Sequence, residues 1–431
     1  MRIIDYKLLD EASRRKLLHR TETNLDGFIE KVKPIIEEIR QHGDSAMASY
    51  SNKFDKSSLE ANDIRVTEEE IKEAYDFIPE DIQDSIRYAI DNVMNFHKTQ
   101  VPEAMSMIEV QPGVFAGEKM TPIDRVALYV PRGKGSFPST TIMVVVPAVL
   151  AKVPMLYLLS PVDSSNKIDP ATLVVADMVG VKDIFKAGGA LAVAAAAYGT
   201  ESIPKAYKIL GPGSPWLMAA KRVLADEIDP GIKAGPTEAI VLADGNANPE
   251  HVALDLLIES EHGSDSSVYL VTPDAALVEK VIHHLEVNLA NMEPYRADFC
   301  RSVFSGNYGG AIITETMEQA IEFINDYAPE HVQVQTKDPF DIVGKIRNAG
   351  EILLGDRLPF SVANYVLGAN AVIPTASGAR THAPLAVRDF MKATSIGYVT
   401  AEGYEEAARH TKVLAQYEGF NGHMRAVLKP R

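Results

Sequence analysis

Three close pairs of glutamate and histidine in the sequence are candidates for chemistry, because such pairs can bind a metal ion or transfer protons. Glu259 and His262 close a predicted helix, where residues three apart share one face. A carboxylate oxygen and a neutral imidazole are ordinary ligands of Zn²⁺. The same spacing is also common in a solvated helix end, so both interpretations stay open for this pair alone.

The second pair, Glu330 and His331, follows the predicted helix Met317–Tyr327 in the segment APEH. Pro329 ends that helix, so the pair lies at a helix-to-strand junction. Adjacent Glu and His side chains at such a junction can act as a general acid and base. A capping or turn role is the alternative.

The third pair, Glu418 and His423, lies in EGFNGH near the C-terminus. The two glycines between them predict a turn rather than a helix face, and His423 is either a ligand or a packed ring. Thr237, in the segment AGPTE, lies in a turn that leads into a predicted strand. Its hydroxyl is a candidate substrate contact.

Composition limits the class of protein to which these residues belong. Among 431 residues, 59 Asp and Glu outnumber 43 Lys and Arg, which gives a net charge of −16. This acidity argues against nucleic acid or an anionic membrane as the main partner. A single cysteine, Cys300, excludes an intrachain disulfide or multi-thiolate metal site. Without a signal peptide core or a span-length apolar run, the sequence predicts a cytoplasmic enzyme.

The elements that must position these residues alternate between strand and helix. One alternation runs from Arg125 to Ala234 and a second from Glu238 to Gly355. Such alternation predicts an α/β protein with parallel sheets in two Rossmann-like domains. Amphipathic helices are predicted over Asp26–His42 and Thr67–His97, and the tail from Asp389 onward is predicted to be mostly helical.

The usual dinucleotide-binding fingerprint is absent from these alternations. The segment Gly211-Pro212-Gly213-Ser214-Pro215-Trp216 has Trp where the third Gly belongs, and Gly133–Ser136 fails in the same way. The glycines still permit tight turns whose backbone amides can hold an anion. An ordinary strand-to-helix turn is the alternative.

Taken together, these segments resemble the histidinol dehydrogenase family over nearly the whole chain, with matching order and spacing. The shared segments are YVP at 129–131, GGA at 188–190, GPG at 211–213, AGPTE at 234–238, EH at 261–262, APEH at 328–331, IPT at 373–375 and EGFNGH at 418–423. The resemblance implies a homodimer with bound zinc and with NAD as hydride acceptor. It also implies oxidation of an amino alcohol to the acid in two steps through a bound aldehyde.

The resemblance further implies roles for individual residues. The implied zinc ligands are Glu259, His262, Asn364 and, from the partner chain, His423. The implied catalytic pair is Glu330 and His331, with substrate contacts at Thr237, His331 and Glu418. The implied cofactor contacts are Tyr129, Leu191 and Ser214. The implied domains are an N-terminal helical arm (1–24), a first Rossmann-like domain (25–124 and 235–380), a second (125–234) and a C-terminal helical extension used in dimerisation (381–431).

Departures from the family pattern fall on the metal, cofactor and substrate positions. Glu259 stands where the family usually has Gln, and Asn364 where it usually has Asp. The charge of the ligand set is thereby conserved, and we predict that zinc still binds. Thr237, Leu191 and Ser214 replace the usual Ser, Gln and Asn.

Two further departures concern the substrate. Ala371 stands where the histidinol enzymes have a substrate-binding His. Arg132 replaces a usual Gly and, with Lys134, is a candidate contact for a phosphate or sulfonate. A solvated loop position is the alternative for Arg132.

These departures favour a zinc-dependent alcohol dehydrogenase that acts on another amino alcohol or polyol, with a sulfonated diol among the candidates. An authentic histidinol dehydrogenase is the first alternative. An inactive family member that acts as a binding protein is the alternative from another class. We expect a small-molecule alcohol as substrate, no nucleic acid or membrane partner, and an active site completed by the partner chain.

Overall fold

Two parallel sheets, each covered by helices on both faces, form the centre of the protein. The structure is a computed structural model that describes residues 1–18, 25–132 and 135–429. The strands are β1 (Ile3–Asp5), β2 (Met105–Gln111), β3 (Val114–Pro122), β4 (Arg125–Tyr129), β5 (Met155–Ser160), β6 (Ile184–Lys186), β7 (Lys208–Leu210), β8 (Glu238–Ala243), β9 (Ser267–Thr272), β10 (Gly309–Ile313), β11 (His331–Gln335), β12 (Glu351–Leu354) and β13 (Met391–Val399).

Helices fill most of the chain between these strands. They are α1 (Glu11–Leu18), α2 (Asp26–Phe54), α3 (Glu68–Phe77), α4 (Glu80–Lys98), α5 (Pro138–Leu150), α6 (Pro170–Val179), α7 (Gly189–Tyr198), α8 (Pro215–Val223), α9 (Pro249–Ser260), α10 (Ala275–Leu289), α11 (Pro294–Ser305), α12 (Met317–Tyr327), α13 (Phe340–Val343), α14 (Phe360–Tyr365), α15 (Ala401–Tyr417) and α16 (Asn421–Ala426). In the part of the chain that the structure describes, none of the helices combines the length and apolarity that a membrane span needs.

The larger sheet has six parallel strands in the order β1-β10-β9-β8-β11-β12. Along β8, Ala239 and Val241 pack toward α9 and α10, whereas Ile240 and Leu242 pack toward α12. Because both faces of the sheet are covered, its strands are apolar on both sides. The predicted α/β class with parallel sheets is confirmed here.

The smaller sheet has four parallel strands in the order β6-β5-β4-β7. Helices α3 to α6 cover one face and α2, α7 and α8 the other. The helices between Asp26 and Lys98 therefore pack on this sheet. This packing differs from the predicted division, which groups residues 25–124 with 235–380.

The N-terminal arm contains more than helix. Residues Ile3–Asp5 form β1, which pairs with β10 and extends the larger sheet, and α1 follows. Helix α1 agrees with the predicted helical arm, but the strand does not. Residues 19–24 of the predicted arm lie outside the described residues.

The tail from Asp389 onward is mostly helical, as predicted, but one correction is needed because it begins with a strand that joins a third, antiparallel sheet with the order β13-β3-β2. Within that tail, Met391–Val399 pairs along its whole length with β3 before α15 begins. A second correction concerns His423, which lies in the short helix α16 rather than in a turn.

Candidate active site

The predicted acid–base residues meet at the amino-terminal edge of the six-stranded sheet. Glu238 begins β8, His331 begins β11 and Glu351 begins β12. In the register of these neighbouring strands, His331 lies opposite both Ala239 and Glu351. Since parallel strands begin at the same edge of a sheet, their first side chains lie side by side.

Helix α9 runs back toward this edge. It carries Glu259, and His262 follows shortly after the helix ends. Glu259 is fully buried near the end of the helix, and one of its oxygens, Oε1, accepts a 2.7 Å hydrogen bond from Asn364 Nδ2. His262 Nδ1 lies 3.4 Å from Glu259 Oε2 and 3.0 Å from Thr237 Oγ1. The structure thus brings together three predicted zinc ligands and the predicted substrate hydroxyl. The two positions that differ reciprocally from the family pattern, Glu259 and Asn364, are in direct contact.

The oxygen and nitrogen ligands in this cluster suit a divalent cation. Among the described residues, Glu259 Oε2 is buried and makes no hydrogen bond, although His262 Nδ1 approaches it at 3.4 Å. An ionised oxygen in that condition is costly unless a cation or donor compensates it. In the same described residues, no three His, Cys, Asp or Glu side chains cluster closely enough to hold a metal. A zinc site here would therefore use the amide of Asn364 and one ligand from outside the cluster, as the predicted set does.

The Glu330–His331 pair lies in the helix-to-strand junction where it was predicted. Helix α12 ends at Tyr327 and is followed by Ala328, whose left-handed backbone (φ 50°) turns the chain into β11. Glu330 Oε2 accepts a 3.0 Å hydrogen bond from the backbone N–H of Glu238, and Glu330 Oε1 lies 3.7 Å from His331 Nε2. The other imidazole nitrogen, Nδ1, is 3.0 Å from Glu351 Oε2.

Burial alone would lower the pKa of His331, but neighbouring carboxylates act against it. The charges of Glu330 and Glu259, together with the hydrogen bond and charge of Glu351, raise the pKa of His331 to about 10. Glu351 is a member of this cluster that the sequence patterns missed. In the sequence, Glu351 is distinguished only by its position at the start of a strand. Its place beside His331 becomes evident only from the pairing of β12 with β11.

A second candidate region lies at the carboxyl edge of the four-stranded sheet. The chain passes from β4 to β5 on one side and later returns to place β7 on the other side of β4. This reversal is a topological switch point, where open α/β sheets bind their ligands. Tyr129 ends β4 and Gly211 follows β7, so both residues lie at that point.

Glycine at the switch point allows two backbone segments, the end of β4 and the turn after β7, to approach each other closely. A Cβ on Gly211 (φ 130°) would lie 2.0 Å from the carbonyl oxygen of Tyr129. The Tyr129 hydroxyl accepts a 3.0 Å hydrogen bond from the N–H of Gly189, and burial raises the pKa of Tyr129 to about 12. Ser214 is exposed just before α8, whereas Leu191, on α7, has its side chain buried in the core.

Several predicted residues lie apart from these two regions. Arg132 donates to the carbonyl of Lys167 and, at 3.0 Å, to Asp163 Oδ2, so its charge is paired within the loop. That pairing weighs against the predicted anion contact, and Lys134 lies outside the described residues. Ala371 packs against the core of the four-stranded domain.

Glu418 and His423 lie in the exposed C-terminal segment. The ring of His423 packs near Phe420, with centroids 5.2 Å apart. Across the described part of the chain, neither residue forms a hydrogen bond or ion pair with the cluster around Glu259. The single chain therefore does not bring them to the site that the resemblance implies for them.

The parallel sheets, the glycine turns at a switch point and the buried acid–base pair are typical of the class of α/β enzymes. Comparison with known proteins gives the family. The sequence model of histidinol dehydrogenase matches residues 18–429. The chain belongs to the histidinol dehydrogenase family of oxidoreductases.

Individual relatives match the chain over nearly its whole length. A histidinol dehydrogenase homolog of Colwellia psychrerythraea is 52% identical over 419 residues, which cover 97% of this chain and 94% of the relative. The histidinol dehydrogenase of Synechocystis is 43% identical over 426 residues, covering 99% and 98%. The crystal structure of histidinol dehydrogenase from Elizabethkingia anophelis superposes with a TM-score of 0.93 at 32% identity, covering 99% of this chain and 96% of that one.

Proposed function

We propose that this protein is a zinc-dependent, NAD-linked alcohol dehydrogenase that oxidises an amino alcohol or polyol other than histidinol. The observation that carries the proposal is the buried Glu330–His331 pair beside the cluster of Thr237, His262 and Glu259. The apolar residue at Ala371, where the family has a substrate-binding His, supports a changed substrate. The relative at 52% identity carries the name homolog, whereas the named enzyme of Synechocystis is 43% identical, which favours a paralogue.

The zinc ion would be held by Glu259, His262 and Asn364, with His423 supplied by the partner subunit. When bound, it would stabilise the negative charge that develops on the substrate oxygen. Charge compensation at Glu259 would also offset one of the carboxylates that raise the pKa of His331. The neutral imidazole needed for proton acceptance is thereby favoured.

His331 accepts the proton of the substrate hydroxyl in this mechanism. Glu351, hydrogen-bonded to Nδ1, fixes the orientation of the imidazole. Thr237 lies next to His262, where its hydroxyl can orient a substrate group. Glu330 activates a water molecule for addition to the aldehyde in a second oxidation, which leads to the acid.

The cofactor NAD, which accepts the hydride, would be held at the switch point of the four-stranded sheet. Tyr129 and the turn Gly211–Ser214 form one wall of that point, and the amino end of α8 adds backbone N–H groups that suit a pyrophosphate. Leu191 would contribute through the backbone of α7 and its packing, because its side chain lies in the core.

A homodimer would complete the site. Apolar side chains are exposed along β2 and α15, notably Met105, Ile108, Leu414 and Tyr417. Exposed apolar residues of this density are typical of a surface covered by a partner. If the C-terminal segment packs against a second subunit, Glu418 and His423 would lie at the active site of that subunit.

The decisive experiment measures NADH formation with histidinol and with a panel of amino alcohols, polyols and sulfonated diols, alongside zinc analysis of the purified protein. We expect a panel compound to exceed histidinol in kcat/KM by about tenfold or more. Histidinol as the best substrate would identify an authentic histidinol dehydrogenase. Bound zinc without turnover of any alcohol would favour a binding protein, and failure to bind supplied zinc would refute the metal site.

A further inference from the structure

The three elements that carry the metal and acid–base residues are joined at one buried carboxylate, Asp255. This residue lies on α9 one turn before Glu259, and only 2% of it is exposed. Its Oδ1 accepts a 3.4 Å hydrogen bond from the backbone N–H of Phe360, the first residue of α14. Its Oδ2 accepts a 2.5 Å hydrogen bond from the side-chain amide of Gln335, the last residue of β11.

Strand β11 makes a second connection to α14 from the same face. His331, Gln333 and Gln335 alternate along the strand and so point to one side of the sheet. The amide of Gln333, fully buried, donates to the carbonyls of Gly355 (3.0 Å) and Leu358 (2.7 Å). Both acceptors lie in the loop that leads into α14, so the strand that begins with His331 also fixes the entry to this helix.

Helix α14 depends on such contacts for its position. It has six residues, Phe360–Tyr365, and its N-cap residue Pro359 has no side-chain hydrogen bond to offer. A helix this short is not stable in isolation, and its first N–H groups need acceptors from elsewhere. Asp255 supplies one acceptor, and Asn364, four residues further along α14, then meets Glu259 at 2.7 Å.

We propose that Asp255 is a positioning residue for the metal site, which fixes α14 against α9 and β11 so that Asn364 and Glu259 converge. The inference rests on the proposed zinc site. Asp255 itself contacts neither substrate nor metal. Its effect is transmitted through Phe360 and Gln335, as outer partners of metal ligands usually act.

The sharpest test exchanges the two hydrogen-bonding groups. In Gln335→Glu, a second carboxyl group replaces the amide that donates to Asp255, so the amide hydrogen bond is lost and two buried acids meet. We expect the affinity for zinc alone, measured by chelator competition on metal-free protein, to fall by about 10- to 100-fold. The double variant Asp255→Asn/Gln335→Glu restores one amide and one carboxylate in exchanged positions, and we expect most of that affinity to return.

Two further variants separate positioning from general damage. Glu250→Gln alters a charge at the exposed start of the same helix and should leave zinc affinity unchanged. Gln335→Met removes the donor without adding a charge and replaces Gln335→Glu if that variant does not fold. We expect it also to lose zinc affinity while its circular dichroism matches that of the native chain.

The outcomes distinguish this inference from the proposed function. A native chain that binds no zinc refutes the proposed function itself. Zinc binding by the native chain that is equally tight in Gln335→Glu and Gln335→Met overturns the positioning role of Asp255. The same conclusion follows if the exchanged double variant folds like the native chain but fails to recover affinity.

Discussion

At the scale of single residues, Glu330 and His331 perform separable tasks in the proposed reaction. Only the second oxidation needs a group that activates water, so Glu330→Gln should affect that step selectively. We expect aldehyde oxidation to slow by about 10²- to 10⁴-fold, while alcohol oxidation stays within about tenfold of the native rate. NADH formation measured separately from alcohol and from aldehyde checks this. The control is Glu318→Gln, on the exposed first turn of α12, and an equal loss in both steps would show that the division of labour is wrong.

The burial of a second residue, Lys221, predicts how the free energy of unfolding depends on pH. Only 2% of it is exposed beneath the glycine turn, where its Nζ donates a 3.0 Å hydrogen bond to the carbonyl of Gly211. Burial lowers its pKa from 10.5 to about 7. Between these values the unfolded chain binds more protons than the folded chain, so stability rises with pH in this window.

Replacement of Lys221 by Met should therefore be pH-dependent in its effect. Near pH 6 the variant avoids the cost of burying an ammonium group, which is on the order of a few kcal/mol. It also leaves the Gly211 carbonyl unpaired, which costs about 1–3 kcal/mol. We expect the stability of Lys221→Met relative to the native chain to decline steadily as the pH rises from about 7 to about 10. Denaturant unfolding across that range measures it, with the exposed Lys98→Met as control. A difference that does not vary with pH would contradict the assigned burial.

The sequence could predict some parts of the site because they are local. Glu259 and His262 share a helix end, and Glu330 and His331 are adjacent, so spacing alone identifies each pair. Asp255 and Glu351 carry no such signal. Each reaches the site through contacts between elements distant in the chain, which no local pattern encodes.

At the scale of elements, the two predicted alternations of strand and helix contain β4 to β12, most of which are buried on both faces. Such strands are short apolar runs, and parallel strands between helices produce them. Strand β2 is exposed throughout and β13 largely so. They lack the apolar pattern and become strands because β3 offers a backbone partner on each side. Strand order, and with it the switch point, depends on packing that the sequence does not display.

The start of β12 gives an element-scale prediction through Gly350. A Cβ at this position would lie 1.9 Å from Ile373 Cγ2 and 2.6 Å from the carbonyl oxygen of Glu330. Because the second neighbour is backbone, Gly350→Ala must push β12 away from the acid–base pair. We expect a loss of about 1–3 kcal/mol in the free energy of unfolding and a lower kcat.

The matched control for this substitution is Gly344→Ala. A Cβ on Gly344 would have nothing within 4 Å, and its φ is −69°, so alanine there should be neutral or slightly stabilising. Urea unfolding and steady-state kinetics on both variants provide the measurement. Equal stability and activity in the two variants would mean that β12 has more freedom than its contacts indicate.

At the scale of the whole molecule, one chain leaves its C-terminal segment outside its own site. Residues Val413, Leu414 and Tyr417 expose apolar side chains on α15, and His423 lies on the following helix. Resemblance to the family identifies His423 as a candidate ligand. Composition and periodicity cannot show whether it belongs to the active site of its own subunit or to that of the partner. That question concerns assembly and needs an experiment on two chains together.

Subunit complementation answers it. His331→Ala removes the proposed base, and His423→Ala removes the ligand proposed to come from the partner, so each homodimer should be inactive. In a symmetric dimer that mixes the two variants, one site contains both substitutions and the other contains neither. With random assembly from equal amounts, half of the dimers are mixed and we expect roughly a quarter of native activity. If His423 instead served its own chain, every mixed site would carry one substitution, and co-expressed, affinity-separated mixed dimers would show no recovery.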